Sequence, residues 1–261
     1  VSRPPGTFIL PMCHPAKFFR SQTNQFTAEL DWEKAIRIQK EGPTIVHPPF
    51  EDWQWRPTVD HVESYFSSMG TDSDCGPWSI DFEATVDRRI VCLGLWSCHN
   101  PLRHRGLCIP FLSQGGVSYW NPQDEQYVMG LVRSFFTDPS IGKIGHNAAG
   151  YDLGVTPFNK HSLIKQAWGI DVQGFIADTM VMHHTAFCEL RHSLAFCSSI
   201  STDLGPYKEE LWEEDGQDEE EDDELDWTRI LDRSTERVTK YCLKDVFVQT
   251  IVYNGLVMEL S

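Results

Sequence analysis

The apolar positions of this chain change period along its length, and each change marks an element. In Trp78-Ser79-Ile80-Asp81-Phe82-Glu83-Ala84-Thr85, large apolar side chains alternate with polar ones, the period of a half-buried strand. Trp78, Ile80 and Phe82 share one face, and Asp81 and Glu83 share the other. Ile90 to Ser97 is mostly apolar and predicts a second strand; Leu107 to Leu112 predicts a third, with Gly115-Gly116 as a break. The period then lengthens. Asn121-Pro122 opens a helix carrying Val128, Leu131, Val132, Phe135 and Phe136, and Asp138-Pro139 ends it. Lys143 to Asn147 reads as a fourth strand running into a turn. Ile176 to Phe187 reads as helix, with Thr179, Met180 and His183 along one side, and Arg191-His192-Ser193-Leu194 starts a short one. Trp227 to Leu260 predicts a long last helix. Its stripe of Val238, Tyr241, Cys242, Asp245, Gln249, Val252 and Leu256 follows three-and-four spacing. Asp245 therefore lies on the face to be buried, where a carboxylate needs a partner.

Upstream of this block the pattern is sparser. Thr7 to Met12 is a short apolar strand, His14-Pro15 lies in a loop, and Thr27 to Glu41 is helical with Gly42-Pro43 as its stop. Residues 46–75 hold Pro48, Pro49 and Pro57 and the polar run 67–74. They read as a linker with one short helix over Val59 to Phe66, capped by Thr58. The expected organisation is an N-terminal piece over 1–45, too small to fold alone, a linker over 46–75, and one domain over 76–261. The chain does not begin with Met, which fits a fragment or a processed product.

Composition sharpens this. With 41% hydrophobic and 12% aromatic residues the chain can bury a sizeable core. No run of 18 apolar residues exists, so no membrane span is expected, and Val1 to Gly6 lack the layout of a signal peptide. None of the eight cysteines forms C-x-x-C, and several sit inside apolar runs, the usage of reduced thiols. The Cys98-His99, His104, Cys108 group fits no standard zinc spacing. The net charge of −16 disfavours a polyanion at first sight, but residues 209–226 hold 13 acidic side chains and no Lys or Arg. Setting those 13 aside from the 38 leaves 25 acids against 22 bases. The acidic run has almost no apolar residues and reads as a solvated loop.

Three segments carry chemistry. Asp81 and Glu83, two residues apart on one strand face, repel each other unless a cation neutralises them; oxygen ligands favour a hard ion such as Mg²⁺ or Mn²⁺. A bare D-x-E is also compatible with a solvated strand face. Gly145-His146-Asn147-Ala148-Ala149-Gly150-Tyr151-Asp152 reads as a tight strand-to-helix turn that places Asp152 in the first turn of a helix, where its charge is favourable. Tyr241 and Asp245 are four apart on one helix face.

In order these segments are D-x-E, N-x₄-D and Y-x₃-D. The series over Gly76 to Ser261 resembles the three exonuclease motifs of the DEDD, or DnaQ-like, superfamily in its tyrosine-bearing branch. It looks most like the proofreading domain of phage DNA polymerase I-type enzymes. Asp178-Thr179-Met180 and Leu190-Arg191-His192-Ser193-Leu194 stand where such domains carry an Asp-Thr helix and an Arg-His-Ser-Leu segment. The polymerase I pattern has three residues between the Asn and the Asp; here four intervene, as in some DEDD relatives. The resemblance implies a ribonuclease H-like α/β fold, a mixed central sheet with helices on both faces, here with a small N-terminal appendage. It implies 3′→5′ hydrolysis of the terminal phosphodiester of DNA to nucleoside monophosphates, in replication proofreading or repair. Asp81, Glu83, Asp152 and Asp245 would hold two Mg²⁺ or Mn²⁺ ions, Tyr241 would orient the attacking water, and Thr85, His146 and Asn147 would bind substrate. The implied partner is a single-stranded 3′ end or frayed primer terminus, with a DNA polymerase or glycosylase domain in a longer parent chain, inside a bacterium or phage-infected host. An RNA exonuclease of the RNase D kind and a catalytically idle binding module are the rival readings. The loop at His14 and the helix after it resemble the C-terminal end of uracil-DNA glycosylase superfamily domains, whose N-terminal catalytic motifs are absent here.

Overall fold

The computed structural model describes residues 16, 22–42, 54–69, 76–99, 106–155, 162–203, 231 and 234–261. The predicted strand over Thr7 to Met12, the loop at His14, His104 and the acidic run 209–226 lie outside the described residues.

The alternating segment becomes β1 (Trp78–Ala84), and it is the middle strand of five. Its neighbours are β2 (Ile90–Ser97), β3 (Leu107–Pro110), β4 (Lys143–Gly145) and β5 (Phe175–Asp178), in the order β3-β2-β1-β4-β5. The β1–β2 and β2–β3 pairs are antiparallel, and β1–β4 and β4–β5 are parallel. This is the ribonuclease H-like sheet, half meander and half crossover.

Helices cover both faces. On one, Trp78, Ile80 and Phe82 pack with α2 (Val59–Ser68) and α3 (Pro122–Thr137) in a cluster that holds Val62, Val128, Val132, Phe135 and Phe136. Phe82 stacks on Phe136 with ring centroids 5.7 Å apart, and Tyr65 of α2 meets Trp78 edge-on at 5.5 Å. Both helices start where their caps dictate. Asn121 accepts from the Gln123 and Asp124 N–H groups, and Thr58 forms a capping box with His61. Thus α2, inside the stretch read as linker, is built into the core. On the other face lies α7 (Thr235–Glu259), the predicted stripe of which is buried throughout, Asp245 included. Fully buried side chains such as Val246 and Phe247 contribute roughly 1.5–3 kcal/mol each against β2 and β3.

Further helices are α1 (Gln22–Glu41), α4 (Leu163–Trp168), α5 (Thr179–Ala186) and α6 (Leu194–Ser201). The N-terminal helix α1 starts five residues before the predicted Thr27 and is docked. Lys34 Nζ donates to the Ser199 and Thr202 carbonyls at 2.8 and 2.6 Å, capping α6, and Arg37 pairs with Asp203 at 2.5 Å. No helix among the described residues is long and apolar enough to cross a membrane.

Three sequence-based expectations are corrected. The helix predicted over Ile176 to Phe187 is split at Asp178. Phe175–Asp178 pairs with β4 as a strand, and Asp178 then caps α5 by accepting from the Met180 N–H. Asp152 does not stand in the first turn of a helix. It lies in a turn, and the next helix among the described residues, α4, begins at Leu163 with Ser162 as its cap. The third strand also ends early. Pro110 closes it, and the Phe111 and Leu112 N–H groups both go to the Val91 carbonyl instead.

Candidate active site

Open α/β sheets bind ligands outside the carboxyl ends of their parallel strands. Here those ends carry the residues singled out from sequence. Asp81 and Glu83 are in the last half of β1, His146 to Asp152 follow β4, and Asp178 ends β5.

On β1, Glu83 is 6% exposed and Asp81 is half-buried. Register puts Asp81 opposite Gly94 and Glu83 opposite Cys92. At Gly94 α7 lies close against the sheet. A Cβ built there would stand 2.7 Å from Cys242 Sγ and 3.1 Å from the Cys242 carbonyl, so any larger residue would lift the helix. Because of that approach, one ligand atom each from Asp81, Glu83 and Cys242 lie within 4.8 Å of one another. The helix is tied to β1 at two points: Cys242 Sγ donates to the Asp81 carbonyl at 3.7 Å, and Ser79 Oγ donates to Gln249 Oε1 at 2.8 Å. Asp245 lies between these points on the same stripe and is buried, as is Tyr241. Burial pushes the Cys242 thiol well up, and the nearby Asp81 charge adds to this, so the sulfur is a protonated wall beside the carboxylates.

The turn after β4 is organised by a residue outside the predicted site. The Asp178 carboxylate accepts from the Asn147 N–H at 2.9 Å and the Met180 N–H at 3.0 Å through Oδ1, and from the Ala149 N–H at 3.0 Å through Oδ2. These bonds hold Asn147 at a φ of 57°, in the left-handed region that asparagine tolerates. Gly145 lets the turn fold back tightly, since a Cβ there would meet the Ala148 side chain at 2.4 Å. His146 Nδ1 lies 2.9 Å from Thr179 Oγ1, which itself donates to the Gly145 carbonyl at 3.1 Å. Thr179 thus links His146 to the end of β4.

Asp152 is buried beside this arrangement, and its carboxyl is pushed up to about 8, first by burial and then by the Asp178 charge. A carboxyl so placed stays protonated at neutral pH unless a cation compensates it. His183 is likewise held neutral, pushed down to about 4 by burial and then by His192, His146 and His184.

Thr85 is used within the β1–β2 turn. Its hydroxyl bonds the Asp87 carboxylate, its N–H donates to the Arg89 carbonyl at 2.9 Å, and its carbonyl accepts from the Arg88 N–H at 2.8 Å. The turn places the Arg88 guanidinium 5.2 Å over the ring of Tyr151, the residue before Asp152.

No protein-family model matches the chain, and no curated protein does. Among solved structures it is similar to a nuclease in its apo form, at 14% identity and a TM-score of 0.45 over 76% of each chain. It is also similar to RNase D of Escherichia coli, an exoribonuclease involved in structured RNA processing, at 17% identity and a TM-score of 0.43, and to the polymerase domain of Pol1 from M. smegmatis, at 15% and 0.40. The chain covers 43% of that RNase D chain and 26% of that Pol1 chain. Each is a resemblance with a TM-score below one half.

The structure brings Asp81 and Glu83 together under α7, and sets Asp152 beside Asp178. Sequence reasoning missed the organising role of Asp178, although its position before Thr179, after the apolar Phe175-Ile176-Ala177, is a strand-to-cap signal. It also missed Cys242 as a wall of the carboxylate pair; no local signal marks that.

Proposed function

We propose that this chain is a metal-dependent 3′→5′ exonuclease that hydrolyses the terminal phosphodiester of DNA and releases nucleoside monophosphates. The observation that carries the reading is the convergence of Asp81 and Glu83 on one face of β1, under a helix whose buried stripe includes Asp245 and Tyr241. The donor set fits hard divalent cations. Its oxygens come from carboxylates, and two of these, Asp81 and Glu83, lie within 4.8 Å of each other, a separation that like charges tolerate poorly. Asp81, Glu83, Asp152 and Asp245 would hold Mg²⁺ or Mn²⁺, which when bound supplies Lewis acidity toward water and toward the leaving 3′ oxygen.

The chain's own groups do the rest. Tyr241 directs its hydroxyl to orient the attacking water. Asp178 fixes the turn on which Asp152 stands, and from that turn Asp152 would lend its carboxyl to the ions. Thr85 acts by shaping the β1–β2 turn, and Asn147, exposed on its left-handed backbone, meets the terminal nucleotide with His146 beside it.

The test is an assay on DNA and RNA labelled at either end, with Mg²⁺, with Mn²⁺ and with EDTA. Stepwise release of 3′ label from DNA, abolished by EDTA, is expected. Preferential loss of RNA would move the reading to an RNA exonuclease of the RNase D kind. Activity absent at every metal level would leave a binding module.

A further inference from the structure

Three cysteines far apart in sequence meet beneath α7. Cys92 on β2, Cys108 on β3 and Cys242 on α7 have sulfurs that all lie within 4.8 Å of one another, and each residue is 0% exposed. Sheet register explains the meeting. Gly94 pairs with Asp81 on one side and Cys108 on the other, and Cys92 pairs with Glu83. Cys242 descends onto the bare Cα of Gly94 and so stands among four side chains: two carboxylates on β1, and one thiol each on β2 and β3.

We propose that Cys92, Cys108 and Cys242 form a binding site for a soft, thiophilic divalent ion such as Zn²⁺ or Cd²⁺, separate from the carboxylate site but sharing Cys242 as its wall. Sulfur donors select such ions, as oxygen donors select hard ones. A Zn–S bond of about 2.3 Å sets tetrahedral sulfurs about 3.8 Å apart, which the observed grouping accommodates with small side-chain shifts. A disulfide is the competing use of close thiols, and the sheet disfavours it between the two strand cysteines. Cys92 and Cys108 are diagonal partners, about 7–8 Å apart, beyond the usual disulfide span of at most about 6.8 Å between Cα atoms. An ion needs no S–S bond and takes all three. On binding, each thiol gives its proton to solvent and no electron is transferred. The grouping was invisible to spacing rules because its members come from three elements, with none in a C-x-x-C pair.

The inference stands independently of the exonuclease reading, because its readouts are binding and coordination. The full chain, reduced, is titrated with Cd²⁺ and followed by the ultraviolet sulfur-to-metal charge-transfer band and by melting temperature. One equivalent should saturate the band and raise the melting temperature. The Cys92→Ser/Cys108→Ser variant should lose both effects while keeping wild-type circular dichroism, and Cys188→Ser, which removes an exposed thiol, should lose neither. Equal Cd²⁺ binding by wild type and the double variant would overturn the proposal. Should the double variant not fold, zinc-edge X-ray absorption of the loaded wild type decides. Three sulfurs in the first shell are expected, and a shell of oxygen and nitrogen alone overturns the site.

Discussion

Phe82 and Glu83 are neighbours on β1 and are equally withdrawn from water, at 7% and 6% exposure. Phe82 faces α3 and meets Phe136 and Trp168 with ring centroids 5.7 and 5.8 Å away. Glu83 faces α7 and shares a 4.8 Å grouping with Asp81 and the Cys242 sulfur. Burying the ring is favourable in itself, whereas burying the carboxylate is costly until something compensates its charge. The two faces of one strand thus separate two tasks: the α3 face holds the fold together, and the α7 face holds groups that a cation would settle. If that division is right, substitutions on the two faces must fail in different ways.

The largest effect is expected on the α7 face and on activity. Asp81→Ala and Asp245→Ala should reduce 3′ nucleotide release to background while leaving the metal-free melting temperature equal or higher, because each relieves repulsion among like charges. Tyr241→Phe should cost less, about 10²-fold, as fits a water-positioning hydroxyl. Full activity in Asp81→Ala, measured as single-turnover release of 3′ label, would break the assignment.

Next in size is the opposite failure. Phe82→Ala removes a ring that stacks on Phe136 and meets Trp168 edge-on, and should destabilise the chain by about 3–5 kcal/mol in urea titration. Activity per folded molecule should change little. A smaller loss, about 1–3 kcal/mol, is expected for Gly94→Ala, whose new Cβ must push Cys242 and α7 away from the sheet. That variant should also lower activity, since the same movement loosens the wall beside Asp81 and Glu83. A stable Gly94→Ala with wild-type activity would show that the close approach is not needed.

The smallest effect is a pH dependence. The Asp152 carboxyl is raised from an ordinary value of 3.8 to about 8 in the fold. Between those values the folded chain keeps a proton that the unfolded chain has lost. The contribution of Asp152 to stability is therefore full below about pH 4, falls as pH rises toward about 8, and is level above it. In EDTA the urea midpoint should decline across that window, and Asp152→Asn should flatten the decline. Mg²⁺ should flatten it too, by favouring the charged form. A midpoint that rises with pH in wild type but not in Asp152→Asn would reverse the sign argued here.

Sequence alone determined what depends on local periodicity. The alternation in β1, the buried stripe of α7 with Asp245 on it, and the caps at Thr58 and Asn121 were all legible, because each is written in residues a few positions apart. Tertiary structure decided the rest. Ile176 to Phe187 has enough apolar residues for a helix, and pairing with β4 made its first part a strand. Asp152 left the predicted helix turn because Asp178, 26 residues on, captures the backbone N–H groups of the loop. Above all, the bare Cα of Gly94 let Cys242 come down among Asp81, Glu83, Cys92 and Cys108. Periodicity tells which face of an element is buried; what that face meets depends on sheet register and on how closely a helix can approach. Neither is encoded in any one segment.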